Sequence, residues 1–358
     1  MKNNGLGKNS CGFVVEVRNS MKKIVFLIMT MLAVLCILSF FAGKDKREEA
    51  AAAGVTEQGK EVSETMDVFT RQTTVGEVVN AAAFKGRGKL LFPLNRPIDN
   101  DVALEDVEEH LLWYEGITPE RTVSIINFLH TQALAGKQVF YDIYTEEEKE
   151  AEPDKQNTGL VFFRGQPGGK TAILNAGGGF VYVGAIHDSF PHAMELARQG
   201  YNAFALIYRP DARLACEDLA RTIAFIHEHA EELQVDVKDY SLWGGSAGAR
   251  MAAGLGSFGT EYFGEKPYPR PAAVIMQYTG LSEVYGNEPP TYNCVGTGDY
   301  IASYRVMERR IERIKAQGTE AEIDVYPGLP HGFGLGEGTV AEGWFNHAVS
   351  FWQRQMKN

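Results

Sequence analysis

Residues 240–248 read YSLWGGSAG, and this stretch decides the fold. Its first four residues predict a short strand, and the small residues of Ala247–Leu255 predict a helix directly after it. Ser246 therefore lies on a sharp turn between a strand and a helix. The glycines two positions before and after the serine remove side chains that would clash in that turn. G-x-S-x-G alone is a weak signal, but this setting makes Ser246 a candidate nucleophile.

Strands alternate with helices on both sides of this stretch, from Gln138 to the carboxyl terminus. The predicted strands are Val139–Tyr144, Leu160–Arg164, Thr171–Asn175, Ala203–Tyr208, Tyr240–Trp243, Ala272–Met276, Tyr292–Val295 and Glu322–Tyr326. The predicted helices are Phe190–Arg198, Cys216–Leu233, Ala247–Leu255, Ile301–Gln317 and Trp344–Gln353. This alternation predicts an α/β fold with a mostly parallel central sheet flanked by helices.

The region before the sheet divides into three parts. We expect a targeting segment over residues 1–42, a linker over 43–66 rich in Ala, Glu, Lys and Gly, and a helical segment over 67–137, followed by the α/β domain over 138–358. Within 67–137, Thr118-Pro119 predicts a helix start, because threonine caps helices and proline suits the first helical position. This segment either packs against the domain or covers its active site, and both interpretations stay open.

The amino terminus has the pattern of an export signal. The 19 residues Ile24–Ala42 contain no charged side chain and follow Lys22-Lys23. They form either a cleaved signal peptide, which Ala42-Gly43 favours, or a membrane anchor that just spans a bilayer. We expect the protein to be extracytoplasmic, whether secreted, periplasmic or membrane-anchored.

Composition excludes several classes of partner. The formal net charge of −11 gives no basic footprint for phosphates, so no nucleic-acid partner is expected. The four cysteines show no metal-ligand spacing with each other or with histidine, so no metal or other cofactor is predicted. A Cys216–Cys294 disulfide stays open, because sequence gives no distance between the two residues.

Acyl transfer needs donors for an oxyanion as well as a nucleophile. Gly177-Gly178-Gly179 follows the predicted strand Thr171–Asn175, at the edge of the sheet where such folds place their sites. Its backbone N–H groups are free of neighbouring side chains and, together with the N–H of Ala247, predict an oxyanion hole. A phosphate-binding loop is the weaker interpretation, since G-x-G-x-x-G and a P-loop lysine are both missing.

A general base is predicted at His331, one of eight histidines. It alone follows the last predicted strand on a loop rich in glycine and proline, which can return an imidazole to the sheet edge. His187 and His192 follow the glycine run, and we expect packing or surface positions for them. The same is expected of the five histidines on predicted helices, which are His110, His130, His227, His229 and His347.

The acid that orients the base has two candidates. Asp299 follows the penultimate strand, although an aspartate before a helix is also a favoured N-cap. Glu283 follows the strand Ala272–Met276 and is the second candidate. We favour Asp299, and the order Ser246, Asp299, His331 is the one that α/β-hydrolases show.

Four of these motifs resemble bacterial acetyl esterases and carboxylesterases, the relatives of hormone-sensitive lipase and of xylan and feruloyl esterases. They are the Gly177–Phe180 run, the Gly244–Gly248 turn, the Asp299 segment and His331-Gly332-Phe333, and the similarity covers roughly residues 138–355.

The resemblance implies the α/β-hydrolase fold and a role for each residue. Ser246 would be the nucleophile, His331 the base and Asp299 its partner, with Gly178, Gly179 and Ala247 as the oxyanion hole. One departure is that many members carry histidine before the triple glycine, whereas this chain has Asn175-Ala176. Either Asn175 replaces that support or the loop is held in another way.

We therefore expect a serine esterase that acts on a small-molecule or carbohydrate ester with a short acyl group, such as acetyl. A peptidase of the prolyl-oligopeptidase type shares the order of the triad, but the chain has no room for the large propeller that those enzymes often carry. A catalytically inactive binding module is the third interpretation, which the presence of all triad residue types disfavours.

Overall fold

The computed structural model of the chain describes residues 69–356. The predicted targeting segment 1–42 and linker 43–66 lie outside the described residues. Between residues 69 and 356, no helix combines the length and apolar character needed to cross a membrane.

A single eight-stranded sheet forms the centre of the structure. Its strands are β1 (Phe140–Tyr141), β2 (Gly159–Phe163), β3 (Lys170–Asn175), β4 (Asn202–Ile207), β5 (Asp236–Gly245), β6 (Ala273–Gln277), β7 (Thr291–Gly296) and β8 (Ala321–Tyr326). They lie in the order β1-β2-β4-β3-β5-β6-β7-β8. Strand β2 is antiparallel to both of its neighbours, β1 and β4. Strand β3 pairs in parallel with β4 and with β5, and the pairs β5–β6, β6–β7 and β7–β8 are also parallel. The predicted α/β-hydrolase fold is thereby confirmed.

All eight predicted strands occur, and two differ clearly in length. Strand β1 has only two residues, because the chain turns at Asp142, whose carboxylate binds Arg87 and Lys149. Strand β5 begins at Asp236, several residues before the predicted Tyr240. Three of the four residues added before Tyr240 are charged, and the carboxylate of Asp236 pairs with Lys170 at 2.8 Å, so the apolar pattern did not reveal them.

Helices cover both faces of the sheet. They are α1 (Val75–Val79), α2 (Pro119–Leu134), α3 (Glu146–Ala151), α4 (Ser189–Arg198), α5 (Ala212–Glu228), α6 (Ala230–Leu233), α7 (Ala247–Phe258), α8 (Tyr304–Ala316) and α9 (Trp344–Gln355). Helices α5 and α7 pack on each other, α2 packs on α4, and α4 meets α9 where His192 contacts Trp344 and Phe345.

Two predicted helices have different limits in the structure. The predicted helix Cys216–Leu233 is two helices, α5 and α6, because the backbone leaves helical geometry at His229. The predicted helix Ile301–Gln317 begins only at Tyr304. The residues before it are held in a turn by the carboxylate of Asp299, as described below.

Residues 69–137 pack into the same hydrophobic core as the sheet. The segment holds α1, α2 and three short 3-10 helices, over Ala82–Phe84, Gly88–Leu91 and Leu104–His110. Thr118 caps α2 by accepting the N–H of Arg121, which confirms the predicted helix start. On α2, the Asn127 side chain binds both the N–H and the carbonyl of Phe69, at 3.1 and 2.9 Å. This pair of bonds attaches the first described residue to the core.

The two cysteines of the folded region are free thiols. Cys294 is buried on β7 and Cys216 is half-buried on α5. The structure therefore has no Cys216–Cys294 disulfide.

Burial of His187 predicts a loss of stability in acid. The ring is fully buried, neither of its nitrogens has a partner among residues 69–356, and burial lowers its pKa from 6.5 to about 3. The unfolded chain therefore takes up a proton here below pH 6.5 while the folded chain does not, so the free energy of unfolding falls as the pH drops from 6.5 towards 3. At about 1.4 kcal/mol per pH unit, His187 should account for about 2 kcal/mol between pH 7 and pH 5.

Urea unfolding of the wild type and of His187→Leu at both pH values tests this expectation. Between pH 7 and pH 5 the variant should lose less stability than the wild type. It should still lose some, because burial also lowers the pKa of His130, His192 and His227. His347→Leu is the matched control, since that side chain is 68% exposed and is hardly desolvated on folding. Equal losses in the wild type and His187→Leu would contradict the prediction.

Candidate active site

Ser246 lies at the carboxyl end of β5, on the turn into α7. Its backbone has φ 50° and ψ −112°, a conformation that residues other than glycine rarely adopt. The turn is fixed from the neighbouring strand, because the N–H of Ser246 donates to the carbonyl of Gln277 at 3.0 Å. A sharp, strained turn between a strand and a helix is the setting in which α/β-hydrolases present a nucleophilic serine.

The glycines around Ser246 are required by close packing. A Cβ on Gly248 would overlap the carbonyl of Asn175 at the end of β3, and a Cβ on Gly244 would overlap the backbone of Gly248. Helix α7 therefore starts directly against the ends of β3 and β5. The predicted reason for the glycine spacing, which is the clash of side chains in a sharp turn, agrees with these contacts.

Three side chains form one hydrogen-bonded row. The Nε2 atom of His331 lies 3.1 Å from Oγ of Ser246, and its Nδ1 atom lies 2.7 Å from Oδ2 of Asp299. The Asp299 side chain is fully buried and the histidine ring is nearly so. The structure thus brings together the serine, histidine and aspartate that the sequence analysis selected, from three loops at the same edge of the sheet.

Asp299 reaches His331 because two loops pack backbone to backbone. A Cβ on Gly296 would overlap the carbonyl of Leu329, and one on Gly298 would meet the backbone of Gly328. The second carboxylate oxygen of Asp299 accepts the N–H groups that follow it at positions 301 and 302, at 2.8 and 2.7 Å. Asp299 is therefore not the N-cap of α8, which is Ser303. One oxygen shapes the turn, and the other binds the imidazole.

Glu283 is wrong as the alternative acid. Its side chain is exposed, and a carboxylate oxygen accepts the backbone N–H of Ser282 at 3.1 Å. Sequence favoured Asp299 but kept Glu283 as the second candidate, since both follow strands of the sheet.

The glycine run lies against the serine. A Cβ built on Gly177 would come within 2.9 Å of the Ser246 Cβ. Gly178 and Gly179 have φ values of 125° and 63°, and within the described part of the chain their N–H groups donate to no protein acceptor. Ala247 is the first residue of α7, so its N–H lies at a helix start. Three backbone donors thus lie in segments next to the serine.

A buried carboxylate that sequence reasoning missed holds this loop. Asp188 is 1% exposed and accepts the N–H of Gly177. It also accepts the hydroxyls of Tyr114 at 3.2 Å and of Tyr278 at 2.6 Å. Its position just before α4 is typical of an N-cap, but the side chain makes no capping bond to that helix. An aspartate that leaves its helix uncapped is a signal only the structure provides.

The tyrosines around Asp188 are protonated donors. Burial, and then the negative charge of Asp188, raise the pKa of Tyr114 and of Tyr278 well above 10. Both phenols therefore keep their protons at neutral and moderately alkaline pH, and they stay hydrogen-bond donors to Asp188 there. The Tyr278 ring also packs against the His331 ring, with centroids 5.0 Å apart.

The departure at Asn175-Ala176 has a structural explanation. The Asn175 side chain donates to the carbonyl of Trp243 at 2.9 Å and so joins β3 to β5. The carbonyl of Ala176 accepts the hydroxyl of Tyr208 at 2.6 Å. The glycine run is therefore held by Asp188 and, through the preceding Ala176, by Tyr208. The side-chain hydrogen bond of Asn175 goes to Trp243 and not to the glycine run.

The remaining histidines lie elsewhere. His187 is buried without partners, and His192 packs on α9, as expected for packing residues. Of the other five, four lie in helices, and His229 lies at the junction of α5 and α6; the four are His110, His130, His227 and His347. Among the residues that the structure describes, no cluster of His, Cys, Asp and Glu is arranged to hold a metal ion.

The sheet and the row of serine, histidine and aspartate define an α/β-hydrolase with the residues of a serine hydrolase. The comparisons with known proteins agree with this class. A family model described as BD-FAE, an esterase-associated α/β-hydrolase domain, matches residues 168–277. The resemblance to bacterial esterases is thereby confirmed for that part of the chain.

Solved structures of esterases are similar to the chain. Apo esterase 2 of Thermogutta terrifontis is 20% identical, with 56% of this chain and 91% of that chain covered and a TM-score of 0.48. Its propionate-bound form is 20% identical, with 55% of this chain and 89% of that chain covered and a TM-score of 0.49. The α/β-hydrolase MGS-M1, from a Medee basin deep-sea metagenome library, is 18% identical, with 55% of this chain and 92% of that chain covered and a TM-score of 0.47. Comparison with curated proteins finds no match.

Two glycines of α7 provide a matched test of the packing around the serine. Gly248→Ala should lower the free energy of unfolding by about 1–3 kcal/mol or more, because its Cβ overlaps the Asn175 carbonyl. Gly254→Ala should change it by at most about 1 kcal/mol, towards greater stability, since the nearest atom to its Cβ is 4.0 Å away and alanine favours helices. Urea denaturation of both variants measures the difference, and equal effects would contradict the packing argument.

Proposed function

We propose that the chain is a serine esterase that hydrolyses carboxylic esters through an acyl-enzyme. The observation that carries the proposal is the row in which His331 lies 3.1 Å from Ser246 and 2.7 Å from Asp299. These distances are those of hydrogen bonds, and they join a nucleophile, a base and an acid in the order that acyl transfer needs.

The first half of the reaction forms the acyl-enzyme. Nε2 of His331 takes the proton of Ser246 as Oγ attacks the ester carbonyl carbon, and the carbonyl oxygen becomes an oxyanion. The N–H groups of Gly178, Gly179 and Ala247 are the donors for that charge, and losing one such donor typically raises the barrier by about 3–4 kcal/mol. The intermediate then collapses, and the alcohol leaves with the proton from His331.

Water completes the cycle. His331 removes a proton from a water molecule that attacks the acyl carbonyl, and returns the proton to Oγ as the carboxylic acid leaves. Asp299 acts through the histidine. Its Oδ2 atom accepts the proton on Nδ1, which keeps Nε2 free to accept the proton of the serine. The protein groups and water supply every proton, so these steps need no metal or other cofactor.

The proposed substrates are esters with a short acyl group, either on a small molecule or on a carbohydrate. The resemblance to acetyl, xylan and feruloyl esterases and the BD-FAE match support this choice. We also propose an extracytoplasmic location, which the uncharged segment Ile24–Ala42 supports, and that segment would act as a cleaved signal or as a membrane anchor.

Labelling with a fluorophosphonate probe tests the nucleophile. The probe should modify the wild type at Ser246, as read by mass spectrometry of the labelled peptide. Ser246→Ala should remove both labelling and hydrolysis of p-nitrophenyl acetate, with a fall in kcat of at least about 10⁴-fold. Ser282→Ala is the control and should keep both, because that exposed serine lies outside the hydrogen-bonded row. Labelling of the Ser246→Ala variant by the fluorophosphonate probe would contradict the proposal.

Replacement of the two candidate acids tests the orienting group. Asp299→Asn should lower kcat by about 10⁴-fold, because an amide holds the histidine in the wrong tautomer. Glu283→Gln should leave kcat nearly unchanged, since its carboxylate is on the surface. Steady-state kinetics with p-nitrophenyl acetate measure both variants, and a large loss in Glu283→Gln would contradict the assignment.

A further inference from the structure

Trp113 lies over the glycine run, although it belongs to the amino-terminal segment. Its Cζ3 and Cη2 atoms lie 3.3 and 3.4 Å from the place where a Cβ on Gly179 would be. The edge of the indole thus stands beside the residue that carries one of the proposed oxyanion donors, at a distance where a side chain on Gly179 would touch it. The side chain is only partly buried, so it has surface left for a ligand.

The indole is held in place from one side. It stacks on the ring of Tyr182, with centroids 5.9 Å apart and planes 26° from parallel. The Tyr182 hydroxyl donates to the carbonyl of Leu112 at 2.5 Å. The ring on which the tryptophan rests is therefore tied to the residue before it, which fixes the indole relative to the glycine run.

The backbone of Trp113 is in an unfavourable conformation. Its φ is 72°, a value that bulky residues rarely adopt and that persists only where the surroundings impose it. The carbonyl of Trp113 packs directly on Gly332, where a Cβ would overlap it, and the N–H of Glu115 donates to the Gly332 carbonyl at 3.2 Å. Contacts with the residue after His331 thus hold the strained backbone that directs the indole to Gly179.

The proposed reaction fixes the directions of two substituents of the ester carbonyl carbon. The alcohol must leave beside His331 Nε2, because that atom gives it a proton. The carbonyl oxygen lies at the N–H groups of the glycine run. The acyl chain therefore points away from both the histidine and these N–H groups, and the indole beside Gly179 is a large apolar surface at the border of the glycine run that such a chain can contact.

We propose that Trp113 is a specificity-determining residue that limits the substrate to esters of short acids, with acetyl favoured over hexanoyl. This inference rests on the proposed esterase function. It gives part of the amino-terminal segment a place in the active site, as the wall that ends the acyl pocket.

The test compares p-nitrophenyl acetate with p-nitrophenyl hexanoate. The wild type should have the higher kcat/KM on the acetate. Trp113→Ala and Trp113→Gly should each raise the ratio of hexanoate to acetate kcat/KM by about tenfold or more, because methylene groups gain the space of the indole. Glycine relieves the backbone strain at the positive φ, whereas alanine keeps a Cβ and most of that strain. An equal rise of the ratio in both variants therefore assigns the effect to loss of the indole ring. Trp113→Phe should change the ratio less.

Phe128→Ala is the matched control. This partly buried ring also belongs to the amino-terminal segment, but it stacks on Phe163 in the core, with centroids 5.8 Å apart. Its loss should leave the ratio unchanged at a comparable fall in melting temperature. A second series varies the alcohol at constant acetyl, and Trp113 variants that respond to the alcohol but not to the acyl length would overturn the inference.

The outcomes separate the inference from the function on which it rests. A wild type that hydrolyses the hexanoate as well as the acetate overturns the inference without any variant. An active, probe-labelled wild type whose Trp113 variants keep the same ratio also overturns it. A wild type with neither hydrolysis nor labelling overturns the proposed function, and this inference with it.

Discussion

The carboxylate of Asp188 is the constraint on which the site depends. It is buried, and it is bound by the N–H of Gly177 and by the hydroxyls of Tyr114 and Tyr278. It also packs against Gly245, where a Cβ would overlap it. A buried charge without partners costs several kcal/mol, so the folded state requires these four segments to meet around it. They come from the amino-terminal segment, the glycine run, the end of β5 and the end of β6.

Each of these segments supports a different part of the chemistry. Gly177 begins the run that supplies two oxyanion donors, and Gly245 precedes the serine in the chain. Tyr278 packs on the ring of His331, and Tyr114 ends the stretch that places Trp113 over Gly179. The residues proposed as base, nucleophile and oxyanion donors thus lie around one buried carboxylate. Preorganised donors of this kind are what make an oxyanion hole effective, since they need not reorganise during the reaction.

Close backbone packing does the rest of the positioning. Glycines at 244 and 248 let α7 start against the strand ends, and glycines at 296 and 298 let the Asp299 loop lie on the loop that carries His331. In both places a methyl group would force the segments apart. These glycines let the loops approach closely enough for Ser246, His331 and Asp299 to lie within hydrogen-bond distance of one another in a row.

The sequence by itself determined the features that depend on neighbours in the chain. Alternating strands and helices indicated the fold, the strand–turn–helix setting indicated Ser246, and the loops after strands indicated His331 and two candidate acids. The bond that joins Asp299 rather than Glu283 to His331, the contact of Asp188 with the glycine run and the place of Trp113 beside Gly179 are features of the tertiary structure alone. Asp299 binds His331 at a separation of 32 residues along the chain, and Asp188 binds Tyr278 at a separation of 90. Periodicity and turn chemistry report local conformation, whereas such pairs form only when the whole sheet brings its loops to one edge.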